Sequence, residues 1–199
     1  MSVVTPARAP CVVVLGGPNG AGKSTAAPRL LRGALRVDEF VNADTLAQGL
    51  SAFRPEAAAV DAARIMLRRF EALVRTRASF ACESTLASVT LAGHLLTWRA
   101  LGYQIHVVYL WLPSVELALF RVKLRVEAGG HDVPAATVRR RFDRGRANFF
   151  RRYSPIADRW RLYNAASASG PTLIATGQGP HRRRILKREL WEQASHGTT

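Results

Sequence analysis

Cys11-Val12-Val13-Val14-Leu15-Gly16-Gly17-Pro18-Asn19-Gly20-Ala21-Gly22-Lys23-Ser24-Thr25 is the stretch that decides the fold. Gly17 to Ser24 match G-x-x-x-x-G-K-[ST] without a deviation. The apolar run Cys11 to Leu15 reads as a buried strand and Ala26 to Leu31 as a helix, which gives the strand, loop, helix order of a phosphate-binding loop. Glycines are needed because backbone amides must turn inward and approach phosphate oxygens closely, and a Cβ obstructs that conformation. The helix beginning near Gly22 adds roughly half a positive charge from its dipole. Lys23 can then reach the β and γ phosphates while the Ser24 hydroxyl ligates Mg²⁺. Residues Gly17, Pro18, Asn19, Gly20, Ala21, Gly22, Lys23, Ser24 and Thr25 are therefore the expected nucleotide contacts, with ATP and Mg²⁺ as cofactors.

Outward from the loop, strand-length apolar runs recur at Phe40 to Asn42, Ser79 to Glu83, Tyr103 to Leu112 and near Leu173 to Ala175, with helical stretches between most of them. This alternation predicts an α/β fold of three layers, a mostly parallel sheet covered by helices. A long helix is expected from Pro55, its core face made by Ala58, Ala62, Ile65, Met66, Phe70 and Leu73. Ser114 is placed to cap a helix running to Glu127, which Gly129-Gly130 ends. Gly129 to Pro134 reads as a mobile loop, and Pro134 opens a further helix carrying Val138, Phe142 and Phe149. No repeat or composition shift marks a boundary, so residues 11–195 are expected to form one domain after a flexible N-terminus at 1–10, with a helical lid around 121–150.

Composition bounds the alternatives. Of 199 residues, 48% are hydrophobic and 22% charged, as in ordinary globular proteins. Cys11 and Cys82 lie in apolar or strand-like runs and read as reduced, buried thiols, and neither a secretory signal nor a membrane-length apolar run is visible. A cytoplasmic protein is expected. The net charge of +15 rests almost wholly on arginine, crowded into Arg139 to Arg161 and the tail His181 to Arg188. Neither crowd is interleaved with the aromatic or glycine patterns of common RNA-binding modules, which argues against a nucleic-acid partner, and the tail reads as a solvated basic helix face.

The loop alone does not separate kinases from switches and motors. Asp44, just after the second strand, stands where a parallel sheet of this kind binds ligands, and could orient an acceptor hydroxyl and take its proton. It could also cap the helix Thr45 to Leu50. A ribose contact is excluded because the loop is not G-x-G-x-x-G. Glu83 and Thr85 leave the third strand at the same edge and could grip acceptor hydroxyls, or instead pair with an arginine and cap a helix. Arg121 and Arg125 share a helix face, and Arg139-Arg140-Arg141 follow the glycine loop, so both groups could close over transferring phosphate; Arg144, Arg146, Arg151 and Arg152 read as solvation. The run Val107 to Leu112 leads to Pro113-Ser114 rather than to Asp, so a standard second metal-site acid is missing and Mg²⁺ would lean on Ser24, phosphates and waters.

Together Gly17 to Thr25, Val41-Asn42-Ala43-Asp44, Phe80 to Leu86, Arg121-Val122 with Arg125-Val126, and Gly130-His131-Asp132-Val133-Pro134 resemble the zeta toxin family. The resemblance implies a kinase that uses ATP and Mg²⁺ to phosphorylate UDP-N-acetylglucosamine. It implies Asp44 as base, Lys23 as the phosphate lysine and Arg125 and Arg140 as catalytic arginines. Asn42, Glu83, Thr85, Arg121 and Arg141 would be substrate contacts, and an antitoxin protein a possible partner. This chain departs from the family in the extra Arg139 and in Asn164-Ala165 where an Asp-Asn pair is frequent. Outside the family reading stand a nucleotide or polynucleotide kinase and a non-catalytic, ATP-dependent binding module.

Overall fold

The structure, a computed structural model, describes residues 9–31, 37–51 and 58–196. Its centre is a seven-stranded sheet of β1 (Cys11–Gly16), β2 (Glu39–Val41), β3 (Phe80–Ser84), β4 (Gln104–Trp111), β5 (Arg159–Asn164), β6 (Thr172–Gln178) and β7 (Arg182–Ile185). They lie in the order β2-β3-β1-β4-β5-β6-β7, parallel from β2 to β5 and antiparallel beyond. The helices are α1 (Lys23–Pro28), α2 (Ala43–Leu50), α3 (Ala59–Arg75), α4 (Thr90–Ala100), α5 (Val115–Glu127), α6 (Ala135–Asn148), α7 (Ser154–Ile156) and α8 (Arg188–His196). A π-helical turn, Phe149–Tyr153, joins α6 to α7.

β1 is apolar on both faces because both are covered. Val12 and Val14 point into one core with Phe70 and Leu73 of α3 and Leu95 and Trp98 of α4; Val13 and Leu15 point into another with Ala27 of α1 and Ala118 and Val122 of α5. That is the expected three-layer arrangement. The first core is rich in packed rings, Phe70, Phe80 and Trp98 meeting at centroid distances of 5.2 to 5.4 Å. α6 belongs to neither side alone. Val138, near its start, is buried in the α1/α5 core, and Phe149, just past its end, in the α3/α4 core. The helix therefore crosses the carboxyl edge of the sheet, where it covers the site.

Several expectations change. On the long helix Ala62, Phe70 and Leu73 are buried, but Ile65 is exposed at 36%, on the water side of the turn; Pro55 lies outside the described residues. Ser114 caps α5 as expected, its Oγ accepting from the Leu117 amide at 3.2 Å. Pro28 cannot donate a helical hydrogen bond, and beyond it the turn at residues 29–31 is wound as π-helix. The tail is not one basic helix face: Arg182–Ile185 is a strand paired with β6, and the helix starts only at Arg188. Burial of Trp191 against Trp160 and Phe150 overrides the local arginine run. Among the described residues no helix is long and apolar enough to cross a membrane.

Candidate active site

The phosphate loop leaves β1 beside β3, and the Gly17 amide donates to the Ser84 carbonyl at 3.2 Å. Gly20 has φ 78°, and a Cβ there would come within 2.7 Å of the Ala118 carbonyl on α5. The loop is thus pressed against α5, and only glycine lets it pass. Gly22 also has positive φ, 74°, but faces open space, so conformation rather than crowding selects it.

Lys23 is buried, and its Nζ donates to the Gly17 and Pro18 carbonyls at 2.9 Å each. Its ammonium also stands 3.6 Å from Glu83 Oε1. The other carboxylate oxygen of Glu83 accepts from Ser24 Oγ at 2.8 Å and from Asn42 Nδ2 at 2.9 Å. So Glu83 pairs with the phosphate lysine rather than with an arginine, and it touches the hydroxyl expected to bind metal. Glu83 lies near the end of β3, the strand next to β1 on the side away from β4. One hydroxyl beside one carboxylate suits Mg²⁺, which takes few protein oxygens and completes its shell with phosphates and water. No cluster of three or more His, Cys, Asp or Glu among the described residues offers a fuller metal cage.

Asn42 has a second task. Its Oδ1 accepts from the Thr45 amide at 3.3 Å, so Asn42 caps the first turn of α2. Asp44 lies in the first turn of α2; its side chain is outside the described residues.

These groups line one wall of a cleft of about 1180 Å³, larger than the ~300–1,000 Å³ typical of a pocket for one small ligand. Asn19, Gly20, Gly22, Lys23, Ser24 and Thr25 of the loop face it, whereas Gly17, Pro18 and Ala21 do not. Asn19 is 5% exposed, and its Oδ1 has no hydrogen-bond partner among the described residues. Thr85, Ser88 and Val89 form the floor, and Ala63 and Met66 of α3 an apolar flank.

The rest of the lining is basic. Arg121, Arg125, Arg140 and Arg141 all line the cleft, and Arg139 turns away to Glu116 at 3.4 Å. Arg140 and Arg141 thereby part from Arg139. Arg121 also donates to the Ala165 and Ala166 carbonyls at 2.7 and 2.6 Å, and Arg125 to the His131 carbonyl at 2.7 Å with its Nε unpartnered. The loop expected to be mobile is thereby tied to α5. Arg144 and Arg152, read from the sequence as solvation, line the cleft as well, with Asn148 between them. The overlooked signal is their spacing: 140, 144, 148 and 152 form one stripe at steps of four. Arg146 instead donates to the Ala194 carbonyl, 3.1 Å away.

The floor is held rigidly under that stripe. Leu86 is fully buried with φ 59°, a left-handed conformation costly for leucine. Asn148 Nδ2 donates to the Leu86 carbonyl at 2.8 Å, and the Tyr153 hydroxyl to Ser88 at 2.6 Å. Gly145 lies against the Thr85 carbonyl with no room for a Cβ. Burial, and secondarily the Glu83 carboxylate, pushes the Cys82 thiol up to about 12 from 9.0, so it stays protonated beside the acid.

A family model described as AAA domain matches residues 12–151. A Haemophilus influenzae protein named only as uncharacterized is 30% identical over 128 residues, covering 63% of this chain and 88% of that one. Two solved structures share the fold. AvrRxo1-ORF1:-ORF2 with ATP superposes with a TM-score of 0.70 at 20% identity, over 95% of this chain and 64% of that one. The PezAT chromosomal toxin-antitoxin system of Streptococcus pneumoniae superposes at 0.62 with 15% identity, over 98% and 82%. This chain thus spans about 64% of the length of the chain it matches in that complex.

Proposed function

This chain belongs to the AAA_33 family of AAA domains, and on that premise we propose that it is an ATP-dependent small-molecule kinase of zeta toxin type. It moves the γ-phosphate of ATP to a hydroxyl of a sugar nucleotide such as UDP-N-acetylglucosamine. The observation that carries this reading is the cleft lined both by Lys23, Ser24 and Glu83 and by Arg140 and Arg144, with volume for two molecules.

In this reading the loop amides and Lys23 hold the β and γ phosphates, Lys23 exchanging its loop carbonyls for phosphate oxygens. Ser24, with Glu83 behind it, would hold Mg²⁺, which when bound neutralises charge on the phosphates. Asp44 orients the acceptor hydroxyl and takes its proton as the new phosphorus–oxygen bond forms and ADP leaves. Asn42, two residues before it, caps the first turn of the helix that carries Asp44. Arg125 and Arg140 stabilise the transferring phosphoryl group, and Glu83, Thr85, Arg121 and Arg141 position the acceptor. One solved structure of this fold belongs to a chromosomal toxin-antitoxin system, which supports an antitoxin partner here too.

The test is transfer of label from ATP, with Mg²⁺, to a panel of sugar nucleotides, nucleosides and oligonucleotides. Label should appear on a sugar nucleotide and vanish in Asp44→Asn, with ATP binding retained. Label on oligonucleotide ends would replace this reading with a polynucleotide kinase. Equal loss of ATP binding in Asp44→Asn and Lys23→Ala would remove Asp44 as base.

A further inference from the structure

β5, β6 and β7 carry a surface for which phosphoryl transfer has no use. Arg161 lies opposite Thr176, and Thr176 opposite Arg184; one step along, Gln178 faces Arg182, and the same register brings Arg159 alongside Gln178. Cross-strand partners share a face, so four guanidinium groups stand in two rows on one side of the sheet. The rows are about 6.6 Å apart along the strands, and neighbouring strands about 4.8 Å apart. They line an open groove of about 800 Å³ that shares no residue with the kinase cleft.

The other side of these strands is already filled: Trp160 stacks on Trp191 at 6.0 Å, and the Arg183 guanidinium sits 5.5 Å over the Trp191 ring. On the groove side nothing answers the charge. Arg159, Arg161, Arg182 and Arg184 have no ion pair among the described residues, and no acidic residue lines the groove. Guarding an edge strand against pairing accounts for arginines on β7 but not for Arg159 and Arg161, two strands further in.

We propose that this face docks the phosphodiester backbone of a nucleic acid, independently of sequence. The arginine fork matches phosphate oxygens, and Thr176 and Gln178 add uncharged polar groups of the kind that contact phosphate and sugar. Of the two rings in the lining, Trp160 is 4% exposed and donates its indole N–H to the Gly179 carbonyl at 3.1 Å, which leaves the exposed imidazole of His181 as the one ring there that a base could meet. No groove residue ranks among the exposed large apolar side chains, such as the centre of a protein interface requires. The tail, read from the sequence as a basic helix face, is in part a strand that brings Arg182 and Arg184 to the same side of the sheet as Arg159 and Arg161.

The experiment is fluorescence anisotropy of the full chain with a random-sequence DNA duplex of about two helical turns and its RNA counterpart, titrated across salt. The variant Arg159→Gln/Arg161→Gln/Arg182→Gln/Arg184→Gln should weaken binding at least tenfold and make the log-log salt slope shallower by about three to four for the DNA duplex. ATP binding serves as its folding control. Arg161→Lys/Arg184→Lys, which keeps the charge, should keep most of the slope where Arg161→Gln/Arg184→Gln loses it. Equal weakening by Arg68→Gln/Arg75→Gln, exposed on α3, would reduce the effect to net charge and overturn the proposal. So would tighter binding of polyglutamate than of the duplex at matched ionic strength, which would assign the face to an acidic protein, or no duplex binding at low salt.

Discussion

Arg140, Arg144 and Arg152 fall on a repeat of four and end on the cleft, whereas Arg159 with Arg161 and Arg182 with Arg184 fall on a repeat of two and end on an open sheet face. Both groups lie in arginine crowds that look alike as composition. What separates them is the period of the backbone that carries them, 3.6 residues in one case and 2.0 in the other. The helical stripe lines the same cleft as Lys23 and Ser24. The strand pairs line a separate, open groove.

The sharpest way to break this comparison is to remove one arginine from each side of the run at 139–141. Arg140→Ala is expected to lower kcat for phosphoryl transfer by about a thousandfold, the scale of an arginine that stabilises transferring phosphate. Arg139→Ala, whose partner is an exposed glutamate on α5, should change kcat by less than about twofold. Steady-state kinetics of the two variants check this, and similar losses in both would dissolve the helical register.

Next in size is the seam that holds the stripe over the floor. Gly145→Ala puts a methyl group against the Thr85 carbonyl and should destabilise the protein by about 1–3 kcal/mol, read from chemical denaturation. An unchanged midpoint would mean that α6 can lift off the floor without cost.

Alkaline pH tests the same core from below. Up to pH 9.0 the Cys82 thiol is protonated in folded and unfolded chains alike; above it the unfolded chain loses this proton while the folded one keeps it to about 12. Stability should therefore fall across that window, with Cys82 contributing about 1.4 kcal/mol per pH unit. Tyr153, also held up to about 12 mainly by burial, adds to the upper part. Denaturation midpoints from pH 8 upward check the slope, and Cys82→Ala should flatten its first part.

The smallest effect belongs to the far side of the arginine sheet. Arg183→Ala should cost about 0.5 kcal/mol through its lost contact with Trp191 and leave duplex affinity unchanged within about twofold. Loss as large as for Arg184→Gln would show that the two faces of β7 are not distinct.

How much of this could be read in advance follows from whether the signal is local. β1, β3 and β4 announce themselves because a strand buried on both faces has to be apolar throughout, and the phosphate loop because its glycines are fixed by backbone geometry. β5 and β7 stayed hidden because arginine occupies the positions facing the open side, and only their pairing within the sheet, β5 between β4 and β6 and β7 beside β6, makes them strands. At the site, Lys23 and Ser24 were legible from their motif. Their contact with Glu83 was not, since residues 59 apart in sequence meet only because β3 lies beside β1. Arg144 and Arg152 were legible in principle from their spacing and were masked by the abundance of arginine around them.

α6 begins in one hydrophobic layer and hands over to the other through Phe149, which stacks on Tyr109 at 4.7 Å and meets Trp160 edge-on at 6.0 Å. A helix anchored at both ends works like a bridge deck rather than a flap: load applied at mid-span is carried into both abutments. Whatever draws the arginines toward a bound phosphate must also pull on those rings, so cleft occupancy should register in the indole emission of Trp160.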